Sequence, residues 1–370
     1  MVKILINDNG PAPDKLTGIS TYLWNIVRAL IFSGKYRYVL TTNRNLEQIP
    51  DDIVSGLDSI IMRANRANET IALLSNTMEL PKIAKSAECS LIFHVQPTAM
   101  LRSNPPSVVV VHDLYRVTHP RLFGIVARIQ WNIGTRSGIE RAAHIIAVSK
   151  ATRHSLAVAY PHITDKISVV HEASPVRDHG GPIAISTPNP YILYVANITA
   201  NKNVGQLVRA LRILGKRGLR PKVLHVGRDE HRILELEING DPTINIQSYT
   251  GVSEENLKKF YREATIYVNT SLVEGFCLPI LEAQTFGVPV ICSDIDVLRE
   301  VAGLGAKYVT VGSDLQLADA IEELYYSSSE RLIISDLATR NAKRFSWEKA
   351  AAETEVIFGK VLAKGQRVRC

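Results

Sequence analysis

Residues 274–291 read EGFCLPILEAQTFGVPVI, and the rest of the chain is best read outward from them. Two carboxylates, Glu274 and Glu282, stand eight positions apart with a glycine, a proline and a short apolar run between them. The stretch follows an apolar segment containing Ile266 and Val268, and Gly275 falls where a backbone must turn or approach a ligand closely. This predicts a loop at the C-terminal end of a strand, running through Gly275, Phe276, Cys277 and Leu278. Pro279 suits a helix start, because its missing N–H is not needed there and its φ is already helical. Glu282 then lies about one turn inside that helix. Free N–H groups and the macrodipole make such a helix start attractive to a phosphate or other anion. Carboxylates do not bind phosphate, so their partners there are the hydroxyls of an attached sugar or ribose. The arrangement suits a nucleotide sugar. Two surface glutamates that cap and solvate a helix would leave the same spacing.

Around this stretch, short β-rich runs alternate with amphipathic helices, the pattern of doubly wound parallel sheets in an α/β protein. In the first half, strands are predicted near 2–7, 37–42, 90–95, 107–112 and 143–148, with helices near 18–33 and 121–140. In the second half, strands are predicted near 190–196, 221–226, 245–249, 265–269, 288–292 and 307–310, each followed by a helical stretch. Two sheets are implied. Between them HEASPVRDHGGPIAISTPNP (171–190) holds four prolines and two consecutive glycines, a linker composition. The expected organisation is a domain over 1–172, a linker over 173–189, a domain over 190–345, and a C-terminal helix over 346–370 that packs back toward the first domain. Open parallel sheets bind at the C-terminal ends of their strands, so the ligand is expected in a cleft between the domains.

At 370 residues, 46% of them hydrophobic, the chain is long enough for two cores. Cys89, Cys277, Cys292 and Cys370 show no CxxC or histidine-rich spacing, which argues against a disulfide framework or a zinc site and points to reducing cytosol. The leading VKILIN reads as a strand, and no apolar run approaches about 18 residues, so neither a signal peptide nor a spanning helix is expected. Charge is uneven. Residues 1–180 carry 20 basic against 14 acidic side chains, residues 181–370 carry 23 against 22, and residues 101–154 alone carry eight against two. Such a segment suits an anionic surface or acceptor, or else a solvated helix face. Nucleic acid finds no support, since no aromatic-interleaved or helix-turn-helix pattern accompanies the charge. Within the segment, Leu122, Ile125, Val126, Ile129 and Ile133 form an apolar stripe that reads as core-facing or as a peripheral contact with anionic membrane.

Several longer stretches carry a family resemblance. EGFCLPILEA followed by FGVPVICSD resembles the E-x7-E signature of retaining glycosyltransferases of family 4, whose GT-B fold sets two Rossmann-like domains facing a central cleft. YILYVANITANKNVGQLVRAL (191–211), YTGVSEENLKKFYREATIYVNTSLVEGF (249–276) and FSWEKAAAETEVIF (345–358) are similar in order and spacing to that family's C-terminal half. VVVVHDLYRVTHPRLF (108–123) and AAHIIAVSKATRHSL (142–156) resemble its mannosyltransferase-type members. Such matches cover about three quarters of the chain and are weakest near 40–100.

The resemblance implies transfer of a hexose, with retained configuration, from a nucleoside-diphosphate sugar, GDP-mannose before other donors. The implied acceptor is a glycan or a polyprenyl-diphosphate-linked glycan at the cytoplasmic face of a membrane, and neither cofactor nor metal is called for. Glu282 is implied to bind the ribose diol and Glu274 to orient the sugar. The loop through Gly275, Phe276, Cys277 and Leu278 would offer N–H groups to the diphosphate. Lys202, in ITANKNV, matches the lysine that contacts the phosphates; Asn201 stands where an arginine often precedes it, and Arg228 is the candidate second cation. His112, in VHDL, matches the histidine that hydrogen-bonds the transferred sugar, although a buried histidine closing SVVVVHDL reads the same from its residues alone. Asp113 would orient that loop or meet the acceptor. Gly18 matches the glycine that brings the first loop to the diphosphate, with Thr17 in place of the usual second glycine; a plain helix-start glycine is the other reading. Cys277 stands where most members have glycine, and its thiol is expected to be either activated by the helix start or buried and inert. Asp294 and Asp296, in SDID, form an Asp-x-Asp string read as an ordinary turn and not as a metal site.

Other classes compete. A dinucleotide oxidoreductase shares the doubly wound pattern, but the first turn, NDNGPAPDKLTGIS, has no G-x-G-x-x-G, only Gly10 and Gly18. A nucleotide-sugar epimerase of GT-B fold would isomerise a donor supplied alone. A non-catalytic glycan- or nucleotide-binding protein would leave that donor intact.

Overall fold

The apolar run after Val2 forms β1 (Lys3–Asp8), an interior strand of a seven-stranded sheet. Its companions are β2 (Arg37–Thr42), β3 (Ser59–Met62), β4 (Cys89–His94), β5 (Ser107–Val111), β6 (His144–Ala147) and β7 (Ile167–Val169). The order is β3-β2-β1-β4-β5-β6-β7, and every pairing is parallel. The chain, a computed structural model, is described over residues 1–8, 18–64, 69–97, 105–118, 135–176 and 189–367. A parallel sheet buries both faces, which is why its central strands read as unbroken apolar runs. Ile4, Leu5 and Ile6 of β1 and the four valines of β5 are fully buried.

The strand pattern did not announce β3 or β7, and both are sheet edges. The four residues of β3 are all at least partly exposed, and β7 has three residues behind a 3₁₀ turn (Pro161–Lys166), too few for any periodicity to register. Helix α1 (Gly18–Ser33) buries Tyr22, Leu23, Ile26, Val27 and Leu30 along one stripe. Helix α2 (Glu69–Ser86) lies in the stretch where the family resemblance is weakest and contains Pro81. Helix α3 (Lys150–Ala159) starts at Ser149, whose hydroxyl accepts from the Thr152 N–H at 3.0 Å. Of the helix expected near 121–140, residues 135–141 are helical; the stripe of Leu122, Ile125, Val126, Ile129 and Ile133 lies outside the described residues.

All six runs expected in the second half become strands within two residues of their expected bounds. They are β8 (Tyr191–Val195), β9 (Lys222–Val226), β10 (Ile246–Tyr249), β11 (Ile266–Asn269), β12 (Val290–Ser293) and β13 (Ala306–Val309), in the parallel order β10-β9-β8-β11-β12-β13. Between and after them run α4 (Val204–Lys216), α5 (Glu254–Glu263), α6 (Leu278–Thr285), α7 (Asp296–Ala302), α8 (Asp314–Tyr326) and α9 (Ser328–Ala342). Ile192, Val208, Leu211, Ile266, Val268, Ile291 and Ile321 interlock in the core between sheet and helices.

The chain divides into two compact units, Met1–Glu172 with Ser346–Cys370, and Ala173–Phe345. The last helix, α10 (Trp347–Arg367), returns to the first unit and packs on α1. Its Phe358 is fully buried and meets Phe93 of β4 edge-on, with ring centroids 5.2 Å apart. Each sheet reverses its winding once, between β1 and β4 and between β8 and β11. Such a reversal opens a crevice at the C-terminal ends of the two strands.

Candidate active site

At the reversal in the second sheet, β8 and β11 are neighbours, and the loops that leave them are stitched together. The Leu272 N–H donates to the Asn201 carbonyl at 2.8 Å. Lys202 closes a 3₁₀ turn after β8, and its carbonyl accepts from the Tyr194 hydroxyl and from Thr270 Oγ1, both at 2.9 Å. Its Nζ lies 2.5 Å from Glu274 Oε1, and Ser271 Oγ donates to the same oxygen at 2.6 Å. The Glu274 side chain is 8% exposed and that of Lys202 22%. Burial works against the ammonium, but the charge and hydrogen bond of Glu274, together with Cys277 and Tyr194, outweigh it and raise the Lys202 pKa. The ammonium is therefore held in its charged form and remains reachable from solvent.

Glu274 leads into Cys277, the residue before α6, which adopts the left-handed conformation with φ 79° and ψ 66°. A side chain in that conformation is strained, whereas glycine is not. The thiol is 9% exposed, 3.4 Å from Asn269 Nδ2, and burial pushes its pKa well up. Of the two readings of this thiol, activation at the helix start or a buried, inert group, its burial and raised pKa favour the second. Pro279 occupies the first turn of α6, and Glu282 follows on the same helix, 8% exposed, its Oε2 accepting from the Tyr261 hydroxyl at 2.7 Å. Phe276 is buried edge-on against Phe345, centroids 5.8 Å apart. The Arg228 guanidinium is exposed and pairs with Glu230 at 3.1 Å, while its main chain is tied to the loop after β8 through Asn197 Oδ1 and Ile198 N. Asp294 pairs with Arg299 at 2.7 Å, and Asp296 opens α7.

A second cluster lies in the first unit. His112 follows β5, with Nε2 2.9 Å from the Val95 carbonyl and Nδ1 2.9 Å from Glu172 Oε1. Tyr22 of α1 meets the imidazole edge-on at 4.9 Å, and Thr152 Oγ1 donates to the His112 carbonyl at 3.2 Å. Asp113 accepts from the Tyr115 N–H at 3.1 Å, which orients the loop after His112. Gly18 opens α1, and a Cβ there would meet no described atom within 4 Å, so the described fold makes no demand for glycine at this position. Thr17 lies outside the described residues.

A family model described as Glycosyltransferase Family 4 matches residues 16–173, and one described as Glycosyl transferases group 1 matches residues 179–340. The chain belongs to the family 4 glycosyltransferases. Relatives of the chain include the O-antigen chain mannosyltransferase B of Escherichia coli, 33% identical over 169 residues, 44% of each chain. Another is the O-antigen chain mannosyltransferase RfbU of Salmonella typhimurium, 26% identical over 222 residues, 58% of this chain and 60% of that one. These matches span about half the length of the relatives. Sucrose-phosphate synthase from Thermosynechococcus elongatus superposes with a TM-score of 0.76 at 16% identity, over 98% of this chain and 100% of that one. HepE of Anabaena, solved with UDP-glucose, superposes with a TM-score of 0.70 at 16% identity, over 97% and 100%. At such identities the likeness shows the fold, which is GT-B.

Sequence reasoning singled out Lys202, Glu274 and Glu282 but missed Glu172, Tyr261, Ser271 and Gly227. Gly227 left a signal, a glycine directly behind a strand. Its φ is 146°, and a Cβ there would lie 2.0 Å from the Ala196 carbonyl oxygen, so only glycine lets the loops after β8 and β9 approach. The other three act through side-chain contacts that no local pattern announces.

Proposed function

We propose that this chain is a retaining hexosyltransferase that moves mannose from GDP-mannose to a glycan or lipid-linked glycan acceptor. The observation that carries the reading is the Lys202–Glu274 pair at the winding reversal of the second sheet, 2.5 Å between Nζ and Oε1. As the sugar C1 becomes oxocarbenium-like, negative charge grows on the leaving diphosphate, and the Lys202 ammonium with the N–H groups of Gly275, Phe276, Cys277 and Leu278 stabilises it. Glu274, anchored by Ser271, turns its remaining lone pairs to the sugar hydroxyls. Glu282 accepts from the ribose diol. The acceptor attacks from the side the diphosphate leaves, with a donor phosphate oxygen as its base. His112 takes part in the same transfer near the sugar, and Gly18 lets the first loop approach the diphosphate.

Mannose is favoured by the names of the two O-antigen relatives, and those names also favour a cell-surface polysaccharide precursor as acceptor. A UDP-hexose is the second reading, favoured by the UDP-glucose bound to HepE. The basic excess of residues 101–154 supports work at the cytoplasmic face of an anionic membrane. Calorimetry with GDP-mannose, UDP-glucose and mannose 1-phosphate tests the donor site. GDP-mannose is expected to bind, and Glu282→Ala to cost on the order of 1.5–3 kcal/mol, a charge-assisted hydrogen bond, while mannose 1-phosphate binding stays unchanged. A variant that binds GDP-mannose as tightly as wild type would refute the ribose assignment.

A further inference from the structure

His112 and Glu172 stand 60 positions apart and meet with their side chains 15% and 5% exposed. Among the described residues, each ring nitrogen has one hydrogen-bond partner. The Val95 carbonyl, 2.9 Å from Nε2, can only accept, so Nε2 carries a proton. A neutral imidazole would then have to accept at Nδ1, where the neighbour 2.9 Å away is a carboxylate oxygen. Where Glu172 is a carboxylate its oxygen also only accepts, and Nδ1 then carries a proton as well. Burial works against charge on the ring, yet the hydrogen bond and charge of Glu172, the Val95 carbonyl and Asp113 together outweigh it and raise the His112 pKa. Among the described residues, the groups that face the ring are therefore Glu172 after β7, Val95 after β4, Asp113 beside it, and the Tyr22 ring from α1.

We propose that Glu172 is a positioning residue that holds His112 as an imidazolium with both nitrogens donating. The inference rests on the transferase reading for its consequence in catalysis, though not for the state of the ring. A ring protonated at both nitrogens has no lone pair to take a proton. His112 then cannot be the base that deprotonates the acceptor hydroxyl, and it serves the transfer as a fixed positive charge of set orientation. The hydroxyl proton goes elsewhere, to an oxygen of the departing diphosphate. Glu172 occupies a position that neither its neighbours nor any spacing marks as functional.

The test is nitrogen NMR of the whole chain with labelled histidine, in which His112→Gln identifies the His112 signals among the ten histidines. In wild type both His112 nitrogens are expected to show protonated-type shifts, with a titration midpoint above the ordinary histidine value of about 6.5. In Glu172→Gln the midpoint falls below that value, and Nδ1 becomes unprotonated while Nε2 stays bonded to Val95. The same variant is expected to lose at least about tenfold in kcat with little change in KM, and its activity falls at lower pH than in wild type as the solution is made alkaline. Glu172→Asp, which keeps the charge, restores part of both. A wild-type His112 with one unprotonated nitrogen at neutral pH would overturn the proposal, and so would an unchanged midpoint in Glu172→Gln. The wild-type spectrum decides even if a variant fails to fold. If the wild type turns over no nucleotide sugar, the transferase reading fails separately, because the nitrogen signals are read without donor.

Discussion

A buried carboxylate that is to bind a ribose has to stay ionised at working pH, and at Glu282 two influences oppose each other. Burial pushes its carboxyl above the usual carboxylate range, the Tyr261 hydroxyl at 2.7 Å pulls it back, and Glu254 adds to the push. Tyr261→Phe removes the opposing bond, so the carboxyl titrates higher still. On the proposed reading, GDP-mannose binding in this variant weakens by about 1 kcal/mol at neutral pH. It also falls more steeply than in wild type as pH is lowered, since protonation takes away the acceptor that the ribose needs. Calorimetry across a pH series checks this, and parallel curves for the two proteins would remove Tyr261 from the binding machinery. Glu274 and Glu282 are legible in the sequence because glycine and proline mark the loop and helix start around them, and Lys202 because ITANKNV resembles a family motif. Tyr261 and Glu172 are not, since their partners lie 21 and 60 positions away and a hydrogen bond between distant side chains leaves no period to read.

At the scale of elements, the donor site depends on how firmly α6 is held. Gln284, two residues beyond Glu282, donates to the carbonyls of Ala302 and Gly305 at 2.8 and 3.1 Å. Asn341 of α9 donates to Gln284 Oε1 at 2.6 Å and to the Val301 carbonyl at 2.7 Å. All of this is buried, so a missing partner leaves its acceptor desolvated and unpaired. Asn341→Ala strands two acceptors and is expected to cost about 2–4 kcal/mol of stability in urea unfolding. A loss under about 1 kcal/mol would mean that water takes over the amide's role. In the second sheet β8, β9, β11 and β12 are legible because each is a short, largely buried run between turn residues. In the first sheet β3 and β7 are not, because β3 is at least partly exposed along its length and β7 has only three residues.

At the scale of the whole molecule, the chain carries a formal net charge of +7, and residues 1–180 hold most of the excess. Among the described residues no helix is long and apolar enough to cross a membrane. Peripheral attachment through the basic first half predicts sedimentation with anionic but not neutral liposomes, and release at high salt, because each basic residue near such a surface contributes about 1 kcal/mol that screening removes. Equal recovery in the supernatant with both liposome types would leave that charge to the acceptor's own phosphates. The central claim is retaining transfer at the Lys202, Glu274 and Glu282 site, and time-resolved proton NMR of GDP-mannose turnover with water as acceptor tests it most directly. The account predicts that α-mannose, the configuration of the donor, appears first, and that Lys202→Ala slows its release at least about a hundredfold. Release of β-mannose first, isomerisation of the nucleotide sugar, or no turnover of any donor offered would contradict it.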